Sequence, residues 1–246
     1  MAEKHFFEQI EYTNKYLIPY FENHIKNFTK LKILEVGCAE AGLLDVFYKR
    51  GIEIQGLEIS QERVDIAMKK NPNLKIVVGD ITDESILQKL EKYDFIIMRE
   101  VIEHIHKKES AFRNLKSLLN ENGLLFISFP PKYSPFAGHQ QIAKSFLKMI
   151  PYLHLLPVNL LKVFAHKLGE KTDYVDEIKL HYSTGMAISK FEKLCNQFSF
   201  EPVVKDLFLF RPIYAFRFGL PTIKIPNIPI IREVVTFGYE TLLISK

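Results

Sequence analysis

Short apolar runs of strand length alternate with amphipathic segments through the first half of the chain. These runs are rich in Leu, Ile, Val and Phe, and they occupy residues 31–36, 52–58, 74–80, 93–98 and 123–129. About one helix's length of sequence separates each run from the next. Parallel strands are joined by such crossovers and are buried on both faces, so the pattern predicts βαβ units and a parallel sheet.

The second half of the chain follows a different pattern. Ten of the twelve prolines lie after residue 129, and residues 131–182 break the βαβ rhythm, which predicts an inserted cap. We expect a helix at 186–198 and two strands at 202–210 and 232–245. Because no helix separates these two strands, they should be antiparallel, and the sheet should be mixed.

We expect residues 1–246 to form a single domain with four parts. Aromatic and aliphatic residues recur at loosely helical spacing over 3–28, which predicts a leading helix broken near Pro19. The four expected parts are a helical cover (1–30), a ligand-binding core (31–130), an inserted cap or lid (131–182), and a C-terminal helix with paired strands (183–246).

Composition and charge exclude several classes of protein. With 246 residues, 47% of them hydrophobic, the chain can bury a sizeable core and is neither disordered nor collagen-like. Its 33 basic and 29 acidic residues give a net charge of +4, too small an excess to make nucleic acid the expected partner. No obligate protein partner is inferred.

The cysteines and the first residues favour a cytoplasmic protein. Cys38 and Cys195 are isolated in the sequence, so neither a disulfide framework nor a CxxC zinc site is expected. Such cysteine usage suits a reducing compartment. The first sixteen residues contain no apolar stretch of the kind that a secretory signal needs.

The turn after the first apolar run is the first candidate for ligand binding. It contains the small residues Gly37, Ala39 and Gly42 and leads into a helix. Small residues let a ligand approach the main-chain N–H groups at a helix N-terminus. The pattern is Gly-x-Ala-x-x-Gly, a dinucleotide fingerprint without its central glycine, and a tight turn without a ligand is the alternative.

Acidic residues stand at the ends of three successive runs. Glu35 ends the first run, Glu58 ends the second about 20 residues later, and Asp80 ends the third. A carboxylate at the position of Glu58 can accept hydrogen bonds from ribose hydroxyls. Any one of these acids could be an ordinary helix cap, but three at the same edge of a sheet favour a ligand site.

These segments together resemble the class I S-adenosylmethionine-dependent methyltransferases. The resemblance rests on ILEVGCAEAG, GLEIS, VVGDI, YDFIIMREVIEHI and NENGLLFISFP, which cover roughly residues 31–130. It implies an α/β fold: a Rossmann-like, doubly wound, seven-stranded mixed sheet with an antiparallel C-terminal strand and an inserted cap. The sequence departs from the family at Ala39, where a glycine is commoner.

The resemblance also implies S-adenosylmethionine as the cofactor and suggests which residues bind it. Glu35 and Gly37 would face the methionine part, Glu58 the ribose, Ile59 the adenine ring, and Asp80, with Ile81 beside it, the adenine amino group. Met98 and Arg99 would border the methyl group, and Cys38, Ala39 and Gly42 complete the loop. Two alternatives stay open: an NAD-dependent oxidoreductase, although an acid at position 35 would repel a pyrophosphate, and a cofactor-binding but inactive scaffold.

Candidate catalytic residues follow the fourth run. Glu100, Glu103 and His104 have the spacing i, i+3 and i+4, which would place two carboxylates and an imidazole on one helical face. They could act as a base, as in methyl transfer to a hydroxyl, or hold a metal as the similar stretch of ubiquinone-type O-methyltransferases does, or simply pack. No metal ligand is assigned. His139, in the loop after the fifth run, is the second candidate base, or else a surface histidine.

Two apolar tracts lie in the second half of the chain. Residues 146–171 are very apolar, but Pro151, Pro157 and several polar residues exclude a transmembrane helix there. Residues 146–164 could form a lid packed on the core or meet a membrane surface peripherally, and 218–231 could join them. These apolar residues leave few partners for buried hydroxyl groups, so we expect a small-molecule acceptor that is hydrophobic or lipid-linked. Oxygen is the expected site of methylation, and the sequence leaves nitrogen and carbon open as alternatives.

Overall fold

A computed structural model of the chain describes residues 2–138, 140–171 and 173–246. Within them, eight strands form one sheet: β1 (Ile33–Val36), β2 (Ile54–Glu58), β3 (Ile76–Val78), β4 (Tyr93–Arg99), β5 (Leu119–Phe129), β6 (Phe200–Phe210), β7 (Ile223–Lys224) and β8 (Gly238–Ser245). Their order is β3-β2-β1-β4-β5-β8-β6-β7. Strands β1 to β5 are parallel, and β8 is antiparallel to β5 and β6. The predicted mixed α/β sheet with an antiparallel C-terminal strand is confirmed.

The sheet has eight strands where the sequence predicted seven. The additional strand, β7, contains only Ile223 and Lys224 and pairs with β6. It lies in the proline-rich tract 218–231, whose sequence predicts no strand. A strand at the edge of a sheet offers free N–H and C=O groups, so even two residues can pair there without any periodic pattern.

Helices surround the sheet. The α-helices are α1 (Ala2–Tyr12), α2 (Ile18–His24), α3 (Gly42–Lys49), α4 (Gln61–Lys70), α5 (Lys108–Leu118), α6 (Val158–Lys167), α7 (Tyr174–Thr184), α8 (Ile188–Gln197), α9 (Pro212–Phe218) and α10 (Ile231–Val235). The hydroxyl of Ser60 caps α4, as its sequence predicts, by accepting a hydrogen bond from the Arg63 N–H at 3.4 Å.

The two faces of the sheet bury two separate apolar cores. Alternate residues of β4 point to opposite faces: Ile96 and Met98 pack in one core with α5 and α8, while Ile97 packs in the other with α2 and α3. Burial on both faces explains why the strands of this sheet read as continuous apolar runs. It also leaves the ends of the strands as the place where polar side chains can collect.

The leading helix is interrupted, but by a different device from the one predicted. A π-helical turn over Thr13–Leu17 joins α1 to α2. Pro19 lies in the first turn of α2, where a missing N–H group costs no helical hydrogen bond, so the proline does not break the helix.

Two other predicted elements change type. The expected strand 232–245 begins as helix α10. In this helix the Glu233 carboxylate accepts hydrogen bonds from the Ile188 and Ser189 N–H groups, at 3.0 and 2.7 Å, and so caps α8. Between β3 and β4, where the βαβ pattern predicts an α-helix, the chain forms a 3-10 helix over Glu84–Gln88.

The expected cap contains three short 3-10 helices over Gln140–Ile142, Phe146–Met149 and Leu153–Leu155, followed by α6 and α7. Its buried residues form a core of their own, which includes Leu147, Leu153, Leu161 and Ile178. Among the described helices, none is long and apolar enough to cross a membrane.

Candidate functional site

A cavity of about 670 Å³ opens at the carboxyl ends of β1 to β4, and we call it the edge cavity. Its lining comes from the ends of these strands, from α1 and from the segment after β4. Of the residues predicted to bind a cofactor or act in catalysis, those that line it are Gly37, Ala39, Glu58, Ile59, Asp80, Ile81, Arg99 and His104. Four strand ends therefore bring together most of the predicted site.

Five predicted residues lie beside the edge cavity without lining it: Glu35, Cys38, Gly42, Met98 and Glu103. Cys38 and Met98 are fully buried in the two cores. Gly42 faces the leading helix, since a Cβ atom on it would lie 2.6 Å from the Phe6 carbonyl oxygen. His139, the second candidate base, lies outside the described residues.

The turn after β1 requires unusual backbone conformations. Gly37 has a φ of 75°, and a Cβ atom there would lie 2.2 Å from Cγ2 of Val101. Ala39 also has a positive φ, of 52°. This conformation disfavours any side chain, so the left-handed backbone explains why a glycine is the commoner residue where this sequence has Ala39.

Glu58 fixes the same turn from the neighbouring strand. It is buried, and its carboxylate accepts hydrogen bonds from the Ala39 N–H at 2.8 Å and from the Ser60 N–H at 3.0 Å. Each carboxylate oxygen has a second lone pair that could accept a hydrogen bond from a ligand hydroxyl. Glu58 can thus shape the turn and contact a ligand.

Glu35 is a buried carboxyl group at the end of β1. Burial raises its pKa to about 8, while the positive charge of Arg99 opposes this rise. Its Oε2 atom has no hydrogen-bond partner. A buried acceptor without a partner is costly, and a cationic ligand group would satisfy it. S-adenosylmethionine carries such a group, the α-ammonium of its methionine part, so the residues present fit this cofactor.

Asp80, Ile81 and Ile59 form the far end of the edge cavity. Asp80 is exposed and accepts a hydrogen bond from the Thr82 N–H at 2.8 Å. Asn114 of α5 donates to the Ile81 carbonyl oxygen at 2.8 Å and holds this turn in place. Ile59 is 69% exposed, which is unusual for an isoleucine and leaves an apolar surface uncovered.

Sequence reasoning missed the contribution of α1. His5 and Gln9 line the edge cavity, and the Gln9 side chain accepts a hydrogen bond from the Gly42 N–H at 2.8 Å, at the start of α3. The His5 Nδ1 lies 2.5 Å from the Glu40 carboxylate. Polar residues within an amphipathic helix give no signal of their own, so only the docking of α1 onto α3 reveals this role.

The residues after β4 do not share a helical face as predicted. Glu100 has a φ of 55°, and the only helical residues between β4 and α5 are the three of a 3-10 helix, Ile102–His104. The ammonium group of Lys108 donates to the carbonyl oxygens of Ile102 and Thr184, at 2.9 and 2.5 Å, and ties this segment to the end of α7. These tertiary contacts decide the conformation of the segment.

Glu103 and His104 therefore have different surroundings. The Glu103 carboxyl is buried, and burial together with the nearby charge of Glu100 raises its pKa well above the usual value. His104 lines the edge cavity, its ring packs edge-on against that of His181 at 5.3 Å, and burial lowers its pKa. Within the described ranges, no three His, Cys, Asp or Glu side chains are grouped to hold a metal ion.

A second large cavity, of about 700 Å³, lies between residues of the inserted segment and residues that follow β6. We call it the apolar cavity, because most of its lining is aromatic or aliphatic: Pro130, Phe136, Met149, Phe210, Tyr214, Phe218, Leu220 and Phe237. Its lining residues are scattered through the sequence, so no local pattern could have predicted it.

A small polar cavity of about 90 Å³, the junction cavity, lies where the two large ones approach each other. It shares Arg99 with the edge cavity and Arg211 with the apolar cavity, and Glu100 lines all three. Arg211 Nη2 donates to Glu100 Oε1 at 2.5 Å. This ion pair holds the Glu100 pKa below its usual value although burial alone would raise it.

Known proteins similar to this chain are methyltransferases. A family model described as a methyltransferase domain matches residues 6–166. A ubiquinone biosynthesis O-methyltransferase of Histophilus somni is 29% identical over 153 residues, which cover 59% of this chain and 64% of that protein. A ubiquinone biosynthesis O-methyltransferase of Actinobacillus pleuropneumoniae serotype 7 is 29% identical over 129 residues, which cover 50% of this chain and 55% of that protein. The chain thus matches between about half and two thirds of the length of these curated relatives.

Solved structures share the fold at low sequence identity. The plantazolicin methyltransferase BamL, in complex with a triazolic desmethylPZN analog and SAH, has a TM-score of 0.61 at 12% identity, and the match covers 99% of this chain and 86% of that one. Magnesium protoporphyrin IX methyltransferase of Synechocystis PCC 6803, with bound SAH, has a TM-score of 0.57 at 14% identity, and the match covers 97% of this chain and 84% of that one. With the family model covering well over half of its length, the chain belongs to the methyltransferase domain family, of the class I S-adenosylmethionine-dependent type.

Proposed function

We propose that this protein transfers a methyl group from S-adenosylmethionine to an oxygen atom of a small apolar or lipid-linked acceptor. The proposal is carried by one observation: the edge cavity at the strand ends and the apolar cavity share the single lining residue Glu100. The names of the curated relatives support oxygen as the methylated atom. The apolar lining supports an acceptor with few hydroxyl groups, since each would need a partner when buried.

The edge cavity would hold the cofactor. In this arrangement Glu58 accepts hydrogen bonds from the ribose hydroxyls, Asp80 from the adenine amino group, and Ile59 with Ile81 covers the adenine ring. Glu35 and the turn at Gly37 would face the methionine part. The match between an unpartnered buried carboxyl at Glu35 and a cationic ligand supports this orientation over an NAD-dependent alternative, whose pyrophosphate Glu35 would repel.

The bound cofactor supplies the electrophilic methyl group on a sulfonium, so the protein's task is to align the acceptor and exclude water. Arg99 and Glu100 lie between the two large cavities, where the reacting atoms would meet. His104 can accept a proton from a hydroxyl acceptor, because burial lowers its pKa and keeps its imidazole neutral at pH 7. The Glu103 carboxyl group lies next to the His104 ring, with Glu103 Oε1 3.9 Å from His104 Nε2.

Calorimetric titration with S-adenosylmethionine, S-adenosylhomocysteine and NAD tests the cofactor. We expect binding of the first two and not of NAD. Tighter binding of NAD would overturn the proposal, and cofactor binding without methyl transfer to any apolar phenol, enol or carboxylic acid would instead favour an inactive scaffold.

The role of His104 is tested by His104→Ala. We expect the rate of methyl transfer to a hydroxyl acceptor to fall by about a hundredfold or more while the affinity for S-adenosylhomocysteine changes less than twofold. A chelator should not change the wild-type rate. If the chelator abolishes activity, a metal is involved, and if the variant is fully active, His104 is not the base.

We also propose peripheral contact of residues 146–164 with an anionic membrane surface, as the route by which a lipid-linked acceptor arrives. Only some apolar residues of this segment are buried, while Phe146 and Met149 are 58% and 72% exposed. Lysines at 144, 148, 162 and 167 flank or interrupt the segment, and it contains no acidic residue. Exposed apolar side chains among basic ones are the pattern that binds anionic lipid.

Sedimentation with anionic vesicles tests the contact. Wild type should pellet with the vesicles, and a variant with Phe146, Met149 and Leu160 changed to Ser should not. The control is a variant of the other apolar tract, 218–231, in which the exposed residues Ile223, Ile228 and Ile230 are changed to Ser. If the effect is specific to 146–164, this control variant should still pellet with the vesicles. If wild type does not pellet with the vesicles, the segment does not contact membranes and is only a lid.

A further inference from the structure

The junction cavity has an excess of positive charge. Its lining includes the guanidinium groups of Arg99, Arg211 and Arg217 but only two carboxylates, those of Glu8 and Glu100. Both carboxylates already have partners: Glu8 pairs with Arg217 at 2.9 Å and Glu100 pairs with Arg211 at 2.5 Å. Within the described part of the chain, no carboxylate forms an ion pair with Arg99.

The two arginines at the junction also have unused hydrogen-bond donors. Nη1 of Arg99 and Nε of Arg211 are buried without a partner. A guanidinium offers five N–H donors, and only one from Arg211 is given to Glu100. Buried donors without partners are costly, so the arrangement would be stabilised by an incoming acceptor of hydrogen bonds, above all an anionic one.

The surroundings hold both guanidinium groups in place. The Arg99 group lies over the Tyr12 ring, 5.1 Å from its centroid. The Arg211 stem packs against Gly238 of β8, where an added Cβ atom would lie 2.4 Å from Cγ of Arg211. The space for Arg211 thus depends on a glycine, and the guanidinium is positioned before any ligand binds.

Two buried carboxyl groups near Arg99, those of Glu35 and Glu240, carry only part of their full negative charge at neutral pH in the unliganded protein. Glu35 interacts with Arg99, and burial raises the pKa of Glu35 to about 8. Glu240 of β8 accepts hydrogen bonds from Tyr16 at 2.7 Å and Tyr12 at 3.3 Å, and burial raises its pKa to about 7. In the unliganded protein Glu35 is therefore mostly protonated at pH 7 and Glu240 about half protonated, and Glu35 ionises only when the cofactor's ammonium group faces it. The two carboxyl groups thus compensate the charge of Arg99 only in part.

We propose that Arg211, with Arg99 beside it, holds the reacting oxygen of the acceptor as an oxyanion. The acceptor is then an apolar molecule with an acidic O–H group: a phenol, an enol or a carboxylic acid, and not an aliphatic alcohol. This inference rests on the proposed function, because it assigns the cofactor to the edge cavity and the acceptor's body to the apolar cavity. Arg211 lines both the junction and apolar cavities, which suits a group at the end of an apolar body.

The chemical step balances without any further reactant. The O–H proton leaves first, to His104 for a phenol or enol or to water for an acid that is ionised in solution. A lone pair of the oxyanion then forms the new C–O bond to the methyl carbon while the S–C bond breaks and its electron pair stays on sulfur. The positive charge of the sulfonium and the negative charge of the oxyanion cancel in the neutral products.

A chromogenic phenol tests the inference without turnover. The probe is 4-nitrophenol with a nine-carbon alkyl chain, whose absorbance reports its ionisation, and it is titrated with pH in the presence of protein saturated with S-adenosylhomocysteine. We expect the bound probe to ionise about one pH unit lower than the free probe, which means that the phenolate binds about tenfold more tightly than the phenol. Arg211→Gln should remove this shift, as should the double variant Glu100→Gln/Arg211→Gln, which leaves no unpaired carboxylate.

Arg232→Gln is the matched control. Arg232 has the same side-chain exposure as Arg211, 13%, and it pairs with Glu192 at 2.6 Å, but it lines none of the three cavities. This variant should keep the full shift. Competition with 4-nonylphenol, 4-nonylbenzoate and 4-nonylbenzyl alcohol then identifies the oxyanion, because the phenol or the benzoate should displace the probe and the alcohol should not.

Three results would overturn the oxyanion inference: a probe that does not bind, a bound probe that ionises as in buffer, or a shift that survives in both Arg211 variants. An alcohol that competes as well as the best acid would do the same. Failure of the proposed function is measured separately: wild-type protein would then either not bind S-adenosylhomocysteine or, as an inactive scaffold, bind it without transferring a methyl group to any acceptor.

Discussion

The edge cavity and the apolar cavity are nearly equal in volume, about 670 and 700 Å³, but they are built in different ways. Strand ends of one parallel sheet supply most of the edge cavity, and their residues follow short apolar runs in the sequence. The apolar cavity takes its lining from the inserted segment and from residues after β6. The carboxyl ends of parallel strands always lie at the same edge of a sheet. A cavity between loops, in contrast, depends on how those loops pack.

The difference suggests a division of roles. A cavity formed by strand ends and backbone N–H groups suits a ligand that is the same throughout a family, and its polar side chains are fixed by the sheet. A cavity between loops can change its lining without altering the sheet, which suits an acceptor that differs from one member to the next. Substitutions in the two cavities should therefore have separable effects on cofactor and acceptor.

The largest expected effect is on the edge cavity, from Gly37→Val. The new side chain would collide with Val101 and would have to adopt a φ of 75°, which together cost about 3 kcal/mol or more. We expect the affinity for S-adenosylhomocysteine to fall by about a hundredfold in a calorimetric titration. Gly51→Val is the control, because Gly51 has a φ of 72° with no atom within 4 Å of the added Cβ. Equal cofactor affinity in the two variants would contradict a role for this turn.

The next largest effect should come from Glu58→Ala. The substitution removes an acceptor for two backbone N–H groups and, in the proposed complex, for the ribose hydroxyls, so we expect a ten- to hundredfold loss of cofactor affinity, about 1.5 to 3 kcal/mol. Asp80→Ala should cost about 1 kcal/mol, since Asp80 is exposed. Asp65→Ala, which removes an exposed carboxylate of α4 outside the cavity, should have no effect. An effect of Asp80→Ala larger than that of Glu58→Ala would argue against the proposed orientation of the cofactor.

The affinity for S-adenosylhomocysteine should depend on pH through Glu35. Its pKa of about 8 leaves the carboxyl protonated at pH 7, while the ligand's ammonium group favours the ionised form. We expect the affinity to rise by up to about tenfold per pH unit from pH 6 to pH 8 and then to level off. Binding at pH 7 should release nearly one proton, which appears as a dependence of the binding enthalpy on the buffer. Glu35→Gln should abolish the proton release, and its persistence there would assign the proton to another group.

The same pKa shift predicts the sign of a stability effect. The unfolded chain ionises Glu35 near its ordinary pKa of 4.5, whereas the folded protein keeps the carboxyl protonated up to about pH 8. The folded state then binds more protons between these values, so the contribution of Glu35 to the unfolding free energy is fully present below pH 4.5 and is lost as the pH rises through 8. Urea titrations of wild type and Glu35→Gln over this range measure the difference.

The smallest effect belongs to the apolar cavity. Met149→Asp and Leu220→Asp should each weaken binding of the alkyl nitrophenol by about three- to tenfold, since each places a charge where an apolar chain would lie. The cofactor affinity should stay within twofold of wild type. Ile228→Asp, at an exposed position of the same tract that does not line the cavity, is the matched control. A parallel loss of cofactor affinity would show that the two cavities are not separable.

The sequence by itself determined the parallel half of the sheet and most of the edge cavity. Continuous apolar runs identify strands that are buried on both faces, and an acid at the end of a run is expected at the carboxyl edge of the sheet, because helices cover both faces. Glu58 and Asp80 therefore reached the cavity as predicted. The roles assigned to them stay predictions until the titrations above are made.

Only the tertiary structure decided the surroundings of the reacting groups. The spacing of Glu100 and His104 predicted that they share one helical face. The Arg211 ion pair and the Lys108 hydrogen bonds fix a different backbone after β4, and local spacing does not record these contacts. Similarly, the expected strand 232–245 begins as helix α10, and its Glu233 caps α8 by accepting a hydrogen bond from Ser189, which lies 44 residues earlier in the sequence. Interactions between distant residues outweigh local propensities of a few tenths of a kcal/mol, and no periodic pattern records them.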